Sequence, residues 1–468
     1  MFAPDIYRQR RSALLSLLSP ANQGLLLFLG NEESPMNYRD NVYKFRQDST
    51  FLYFFGIDRP GMNATIDLAD GSATLYGEEM TIDHVIWMGP QPSLQELAES
   101  SGGLNIATPE ALPARISRGI GSNEPLHYLP AYRGDSILNL IRWCGKSQEA
   151  LAAGVSEAFI RAVVALRSIK SSEELVQLEQ ACSRTATMHI TGMKTAKPGL
   201  RESDVMAAVR RVPLSMGADT SFPIICSKRG EVLHNHHHDN LLRSGDLLLL
   251  DAGSESDLHY AGDMTRTFPV DATFTQKQRE IYEIVLGGME TAFGMIKPGI
   301  AYRDVHLAAA RSMTEGLQQL GLMKGDLDES VAAGAHGVFF PHGLGHMMGL
   351  DVHDMEDLGE KYVGYTDEFT RSTQLGLKSL RLARHLQEGF VLTVEPGIYF
   401  IPPLIEKWKA TDAHSAFINY DKLEAYYSFG GVRIEDDVLV TKDGYKILGT
   451  PAPKSVREVE EMRQEAFS

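Results

Sequence analysis

The sequence predicts an α/β (α+β) protein in two parts: a smaller α/β domain over residues 1–165, and a larger domain over residues 166–468 assembled from two similar halves. Three observations carry that prediction. A chain of 468 residues is too long for one ordinary hydrophobic core. In the C-terminal part, Lys197-Pro198-Gly199-Leu200 with Asp204-Val205 recurs as Lys297-Pro298-Gly299-Ile300 with Asp304-Val305, each ending one helical pattern and opening another. A second echo concerns charge: Gly245 stands six residues before Asp251 and Gly253 two after it, and Gly389, Glu395 and Gly397 repeat that spacing. Two halves related by a pseudo-two-fold would bring both acid-bearing strands to a common centre.

The elements follow in order. Gly24 to Gly30 reads as a buried strand after an N-terminal helix. Ala64–Leu68 and Ser72–Tyr76 flank Asp70-Gly71, a hairpin signal. Ahead of that hairpin, the aromatic run Phe51-Leu52-Tyr53-Phe54-Phe55 is expected to be a core strand. Near residue 168 a helix opens, capped by Ser171 or Ser172 with Glu173 and Glu174 in its first turn.

Composition excludes several classes of function. With 43% apolar and 23% charged residues the chain is that of a soluble globular protein. Its net charge of −16 argues against nucleic acid or an anionic membrane surface as partner. Three scattered cysteines, Cys144, Cys182 and Cys226, imply no disulfide framework and favour a reducing cytoplasm. The basic start, Arg8-Gln9-Arg10-Arg11, precedes a leucine run broken by Ser16, Ser19 and Pro20, so no export signal and no membrane span are expected.

Chemistry concentrates in the second part. Asp251 alone, in an Asp-Ala-Gly turn, reads as an ordinary turn residue. Yet Leu247–Asp251 and Val391–Glu395 are apolar runs ending on an acid, where an uncompensated charge costs several kcal/mol. Asp263 and Glu435 each follow a small-residue turn, and Pro341-His342-Gly343-Leu344-Gly345-His346 lies between the two pairs. Four carboxylates and one imidazole, all expected on strands or strand ends, describe an oxygen-rich two-metal site. Seven histidines crowd this region; His236, His237 and His238 read as solvated loop residues, leaving His234, His342, His346 and His353 for ligand or acid–base work.

At these residues the chain resembles the Xaa-Pro peptidases of the pita-bread metallopeptidase group, aminopeptidase P and prolidase. The resemblance runs through Val232-Leu233-His234, Asp251-Ala252-Gly253, Tyr260-Ala261-Gly262-Asp263, His342-Gly343-Leu344-Gly345-His346, Asp351-Val352-His353-Asp354, Val394-Glu395-Pro396-Gly397 and Arg433-Ile434-Glu435-Asp436. Phe45-Arg46-Gln47-Asp48-Ser49 through Gly56 resembles the group's N-terminal domain. One departure is the twelve positions from Asp251 to Asp263, one more than usual, which implies a small loop bulge.

The resemblance implies a pita-bread catalytic domain and a manganese-dependent, cytoplasmic exopeptidase cutting between an N-terminal residue and a following proline. It assigns Asp251, Asp263, His346, Glu395 and Glu435 to two divalent metal ions, Mn²⁺ with Co²⁺ or Zn²⁺ as substitutes, with Asp263 and Glu435 bridging. Four carboxylates balance two such ions. Glu395 would also handle the nucleophile's proton, His234 and His353 would engage substrate and developing charge, and Arg433 would orient the acids. His342 would line the proline pocket and Tyr399 would contact substrate. Arg381 would hold a dipeptide's carboxylate, against the plainer reading of a basic helical face paired with surface acids. The implied partners are proline-containing peptides and further copies of the chain in a homodimer or homotetramer, with the N-terminal domain restricting access to a neighbouring site. Alternatives are a methionine-aminopeptidase-like hydrolase and a metal-free binding or scaffold protein on the same fold.

Overall fold

The computed structural model describes residues 1–18 and 23–468, so Ser19 and Pro20 of the leucine run lie outside the described residues. The chain divides into two compact units: Met1–Arg167 joined by Asp357–Tyr362, and Ser168–Glu356 with Val363–Ser468. Among the described residues no helix is long and apolar enough to cross a membrane.

In the first unit, strand β1 (Leu25–Leu29) is followed by a short ladder, β2 (Pro35–Tyr38) with β3 (Asn41–Val42). Strands β4 (Asn63–Asp67), β5 (Ala73–Tyr76), β6 (Asn105–Ala107) and β7 (Leu126–His127) complete a mixed sheet of order β6-β5-β4-β1-β7. The hairpin expected around Asp70-Gly71 is β4–β5, turning where Gly71 takes φ 74°. The aromatic run is a correction: Ser49–Phe55 is a helix, every residue buried. A wholly buried element of under two turns has no polar face, so its periodicity cannot distinguish helix from strand. Its ends decide the matter, because the Asp48 side chain accepts from the Phe51 N–H and Gly56 closes the helix at φ 69°. Phe28 on β1 meets Phe54, Phe55 and Phe159 edge-on, which seats this helix on the sheet.

The second unit is the doubled part. Helix Ser172–Thr195, capped by Ser171 with Glu174 returning to the cap, leads through Lys197-Pro198-Gly199 into helix Glu202–Ser215. Helix Gln276–Met295 leads through Lys297-Pro298-Gly299 into Tyr302–Gln319. Gly199 and Gly299 take φ 94° and 86°, a region closed to most other residues, and both turns are pinned in the same way. The Gly199 N–H donates to the Leu242 carbonyl and the Leu242 N–H to Leu200; Gly299 and Ile300 repeat both bonds with Leu386. Leu242 and Leu386 lead into the two acid-bearing strands, so each repeated turn fixes the approach to the site.

Those strands are β9 (Leu247–Asp251), between β8 (Ile225–Ser227) and β10 (Thr265–Pro269), and β11 (Val391–Val394). After β11 come β12 (Gly397–Tyr399), β13 (Gly431–Arg433), β14 (Asp436–Val440) and β15 (Tyr445–Ile447). β11 pairs antiparallel with β14 as β9 pairs with β10, and β12 pairs with β13. The halves join where β10 runs beside β13: Arg433 donates its N–H to the Thr267 hydroxyl, which donates back to the Arg433 carbonyl, and the Glu435 N–H donates to the Thr265 carbonyl.

Candidate metal centre

Asp251 ends β9, Glu395 directly follows β11, and Asp263 and Glu435 lie just before β10 and β14. Every strand of the two central pairs therefore delivers one carboxylate at the same end. The loop from Asp251 to Asp263 is tied by a bridge between Glu255 and Ala261, with His259 at its tip in the left-handed region at φ 66°. The single histidine of the set corrects an expectation, because His346 belongs to no strand. Its irregular segment lies along β11 instead: the His346 N–H donates to the Thr393 hydroxyl, and the Thr393 and Glu395 N–H groups donate to the His346 and Leu344 carbonyls.

The result is a compact, buried donor set. Donor atoms of Asp263, His346 and Glu435 all lie within 4.8 Å of one another. His346 Nδ1 donates to the Met347 carbonyl at 3.1 Å, which leaves Nε2 unprotonated, 3.5 Å from Asp263 Oδ2 and 3.8 Å from Glu395 Oε1. Burial holds this imidazole neutral by lowering its pKa to about 4. Asp251 joins the cluster beside Asp263 and accepts from Arg433 Nη2 at 2.6 Å.

Electrostatics says what the set needs. Burial, then the neighbouring carboxylates, drive Asp263 and Glu435 well above the usual range, and burial lifts Glu395 to about 8 against the pull of Arg433. Two like charges about 4 Å apart repel by roughly 4 kcal/mol at an effective dielectric of about 20. One arginine cannot offset four such acids, whereas two divalent cations can. Carboxylate oxygens with one Nε2 lone pair are the right donors for them, so the residues fit the group.

The surrounding side chains form a directed chain. Arg433 Nε donates to the Thr265 hydroxyl at 3.1 Å, which donates to Glu435 Oε2 at 2.7 Å. Arg433 Nη1 donates to the Tyr399 hydroxyl at 2.8 Å; that hydroxyl donates to His342 Nε2 at 2.8 Å, and His342 Nδ1 donates to the Gly343 carbonyl. Both polar edges of His342 are thereby occupied, and burial lowers its pKa to about 3. Tyr399, expected at the substrate, is fully buried with its hydroxyl held inside this chain. His353 packs its ring 4.2 Å from that of His346 and its Nδ1 meets Glu356 Oε2 at 2.6 Å. His234 is exposed, and the charged groups acting on its ring include Asp251, Arg433 and Arg381. Arg381 lies in irregular chain, not on a helical face, and its Nε donates to Glu356 Oε1 at 3.3 Å.

Sequence reasoning missed Thr265, Glu356 and Asp437. Asp437 Oδ2 accepts the Asp263 N–H at 2.9 Å and fixes that acid's backbone. Only Glu356 left a readable trace, a carboxylate three residues after a singled-out histidine.

Such a cluster at the seam of two like halves is suited to divalent metal ions. Residues 176–442 match the model of metallopeptidase family M24, and residues 7–127 match that of the aminopeptidase P N-terminal domain. The human Xaa-Pro dipeptidase is 33% identical over 463 residues, covering 94% of this chain and 89% of the relative. A probable Xaa-Pro aminopeptidase of Botryotinia fuckeliana is 33% identical over 95% of this chain and 92% of its own. Among solved structures, a zinc-substituted Escherichia coli aminopeptidase P in complex with product matches with a TM-score of 0.79 at 29% identity, covering 99% of each chain. The Pseudomonas aeruginosa aminopeptidase PepP matches with 0.81 at 27%, covering both chains in full. The chain belongs to metallopeptidase family M24.

Proposed function

We propose that this chain is a dinuclear, metal-dependent exopeptidase that hydrolyses the bond between an N-terminal residue and a following proline. The observation that carries this reading is the buried Asp263–His346–Glu435 donor set within an M24 domain, in a chain similar over nearly its whole length to Xaa-Pro dipeptidases and aminopeptidases. Residues 1–165 form the N-terminal domain and 166–468 the catalytic one. Proline explains the specialisation: an Xaa-Pro bond has no amide N–H and a restricted backbone, so a peptidase that grips that N–H fails on it.

Asp251, Asp263, His346, Glu395 and Glu435 would hold the two ions. The oxygen-dominated set suits Mn²⁺, with Co²⁺ or Zn²⁺ as substitutes. When bound, the ions supply an activated water and a Lewis acid for the scissile carbonyl. The chain supplies the rest. Glu395 takes the nucleophile's proton, and His353 and His234 engage the substrate carbonyl as charge develops. Arg433 holds Asp251 and, through Thr265, Glu435. Tyr399 fixes His342, whose occupied nitrogens leave an apolar ring face for the proline. Arg381 binds the carboxylate of a dipeptide.

Three free cysteines, two of them buried, support a cytoplasmic setting. Helix Ile82–Met88, with no buried residue and Ile82, Ile86, Trp87 and Met88 exposed, supports a homodimer or homotetramer. The test is a hydrolysis panel of Xaa-Pro dipeptides, Xaa-Pro-Xaa tripeptides and non-proline controls, before and after chelation and Mn²⁺ return. Cleavage of non-proline peptides at equal rates, or activity indifferent to chelation, overturns the reading.

A further inference from the structure

Glu356 stands outside the donor set and outside the chain of contacts built on Arg433, yet its geometry is that of a working part. Its two carboxylate oxygens are divided between two side chains of the site: Oε2 meets His353 Nδ1 at 2.6 Å and Oε1 meets Arg381 Nε at 3.3 Å. The turn that achieves this is built against local preference. Met355, between the histidine and the carboxylate, takes φ 62°, a region that a bulky side chain occupies only under constraint, and its side chain is buried. The Glu356 N–H closes the turn on the His353 carbonyl at 3.2 Å, bringing the carboxylate back over the imidazole of its own chain.

A carboxylate on Nδ1 settles two properties of a histidine. It fixes the ring plane, and it keeps the proton on Nδ1 so that Nε2 carries the lone pair. His353 Nε2 then faces no hydrogen-bond partner among the described residues and is the nitrogen left for a ligand. Arg381 holds the other oxygen, so the carboxylate cannot swing away from the imidazole without losing its second contact.

We propose that Glu356 is a positioning residue of the hydrolytic site, acting through His353, whose tautomer and ring orientation it sets while Arg381 anchors it. This inference rests on the function proposed above and extends it to a residue whose role is indirect. Glu356 touches neither the donor set nor, on this reading, the substrate. Its removal therefore changes turnover without removing metal.

The experiment compares Glu356→Ala, Glu356→Gln, His353→Ala and the double variant Glu356→Ala/His353→Ala, each loaded with Mn²⁺ and assayed on an Xaa-Pro dipeptide and an Xaa-Pro-Xaa tripeptide. Orienting carboxylates behind functional histidines are worth about 10–100-fold in activity. Glu356→Ala is expected to lower kcat by that factor on both peptides, with KM changed less than about threefold and metal content unchanged. Glu356→Gln falls between, since an amide can accept from only one of the two donors facing it. In the His353→Ala background, Glu356→Ala is expected to cost nothing further, because the group it positions is gone. The proposal is overturned if Glu356→Ala keeps kcat within threefold, if its loss multiplies in full with that of His353→Ala, or if metal leaves with the carboxylate. Should the alanine variant fail to fold, the glutamine variant decides by the same criteria. A wild-type protein inactive on every Xaa-Pro peptide instead sinks the proposed function, a result distinct from any of these.

Discussion

In the first half of the catalytic unit, Asp251 and Asp263 sit at the two ends of one hairpin loop, with β9 and β10 as its arms. In the second half the same two positions, Glu395 and Glu435, are parted by β12, helix Pro402–Ala410 and β13, although β11 and β14 still pair directly. The first half contributes two acids, Thr265 and His234; the second contributes two acids and also His342, His346, His353, Tyr399, Arg381 and Arg433. Duplication explains the shared charge; of the unshared chemistry, Tyr399 and Arg433 lie in the extra chain between Glu395 and Glu435, and His342, His346, His353 and Arg381 in the long segment between helix Tyr302–Gln319 and β11. Neither half is finished alone. Arg433 of the second half holds Asp251 of the first, and Thr265 of the first donates to Glu435 of the second.

The severest break in this comparison removes one carboxylate of the donor set. Glu435→Ala is expected to abolish hydrolysis and reduce bound metal, because the buried set loses both a donor atom and a charge that balances the cations. Asp263→Ala, its counterpart in the other half, should be equally inactive. Metal analysis with an activity assay checks both; a Glu435→Ala protein with full stoichiometry and most of its kcat would show that Glu435 is not a metal ligand.

The next effect tests whether the extra chemistry of the second half is catalytic. His353→Ala should lower kcat on the order of 10²–10⁴-fold while leaving the metals in place, the usual size of an acid–base or charge-stabilising contribution. Metal loss or unfolding in that variant would make the histidine structural.

How much of this comparison could be read from the chain depends on distance along it. The doubling was legible because each Lys-Pro-Gly turn needs a left-handed glycine and each central strand ends its apolar run on an acid, both local requirements. The helix at Ser49–Phe55 is hidden by its uniform hydrophobicity, and only Asp48 and Gly56 mark its ends. The irregular segment of His346 is hidden too, because glycine-flanked chain lying along β11 carries no alternation that separates it from a strand. The brace from Arg433 is implied only by the resemblance, because Arg433 and Asp251 are 182 positions apart and no periodicity links them.

A third test addresses the seam. Arg266 of β10, almost fully buried, donates to Asp436 Oδ1 at 2.6 Å and to the Glu435 and Pro453 carbonyls, serving the second half from the first. Arg266→Met leaves Asp436 with Lys454 alone and the four carbonyls of Thr265, Glu435, Ala452 and Pro453 without this donor. Breaking a buried pair costs about 3–5 kcal/mol, so the thermal midpoint of the metal-loaded protein should fall by several degrees. An unchanged midpoint would mean that the seam is held by backbone contacts between β10 and β13 without this side chain.

The smallest expected effect sharpens the comparison at Arg381, a second-half residue bound to another side chain of the site. Arg381 is about one-third exposed and holds Glu356 through Nε alone, so besides propping the carboxylate behind His353 it has N–H groups left to clamp a dipeptide's carboxylate, and the two roles weigh differently on turnover and affinity. A charged hydrogen bond contributes roughly 1.5–3 kcal/mol, about a ten- to hundredfold change in affinity, and partial exposure favours the lower end. If Arg381 is a clamp, Arg381→Ala raises KM for Xaa-Pro dipeptides by about tenfold and spares Xaa-Pro-Xaa tripeptides, whose carboxylate lies one residue farther on. If it is a prop, kcat falls alike for both peptides and KM stays where it was, because His353 serves every substrate. Steady-state kinetics on one matched pair of peptides separates the two. A variant that behaves like the wild type on both would remove Arg381 from the site altogether, leaving Glu356 to hold His353 without its second anchor.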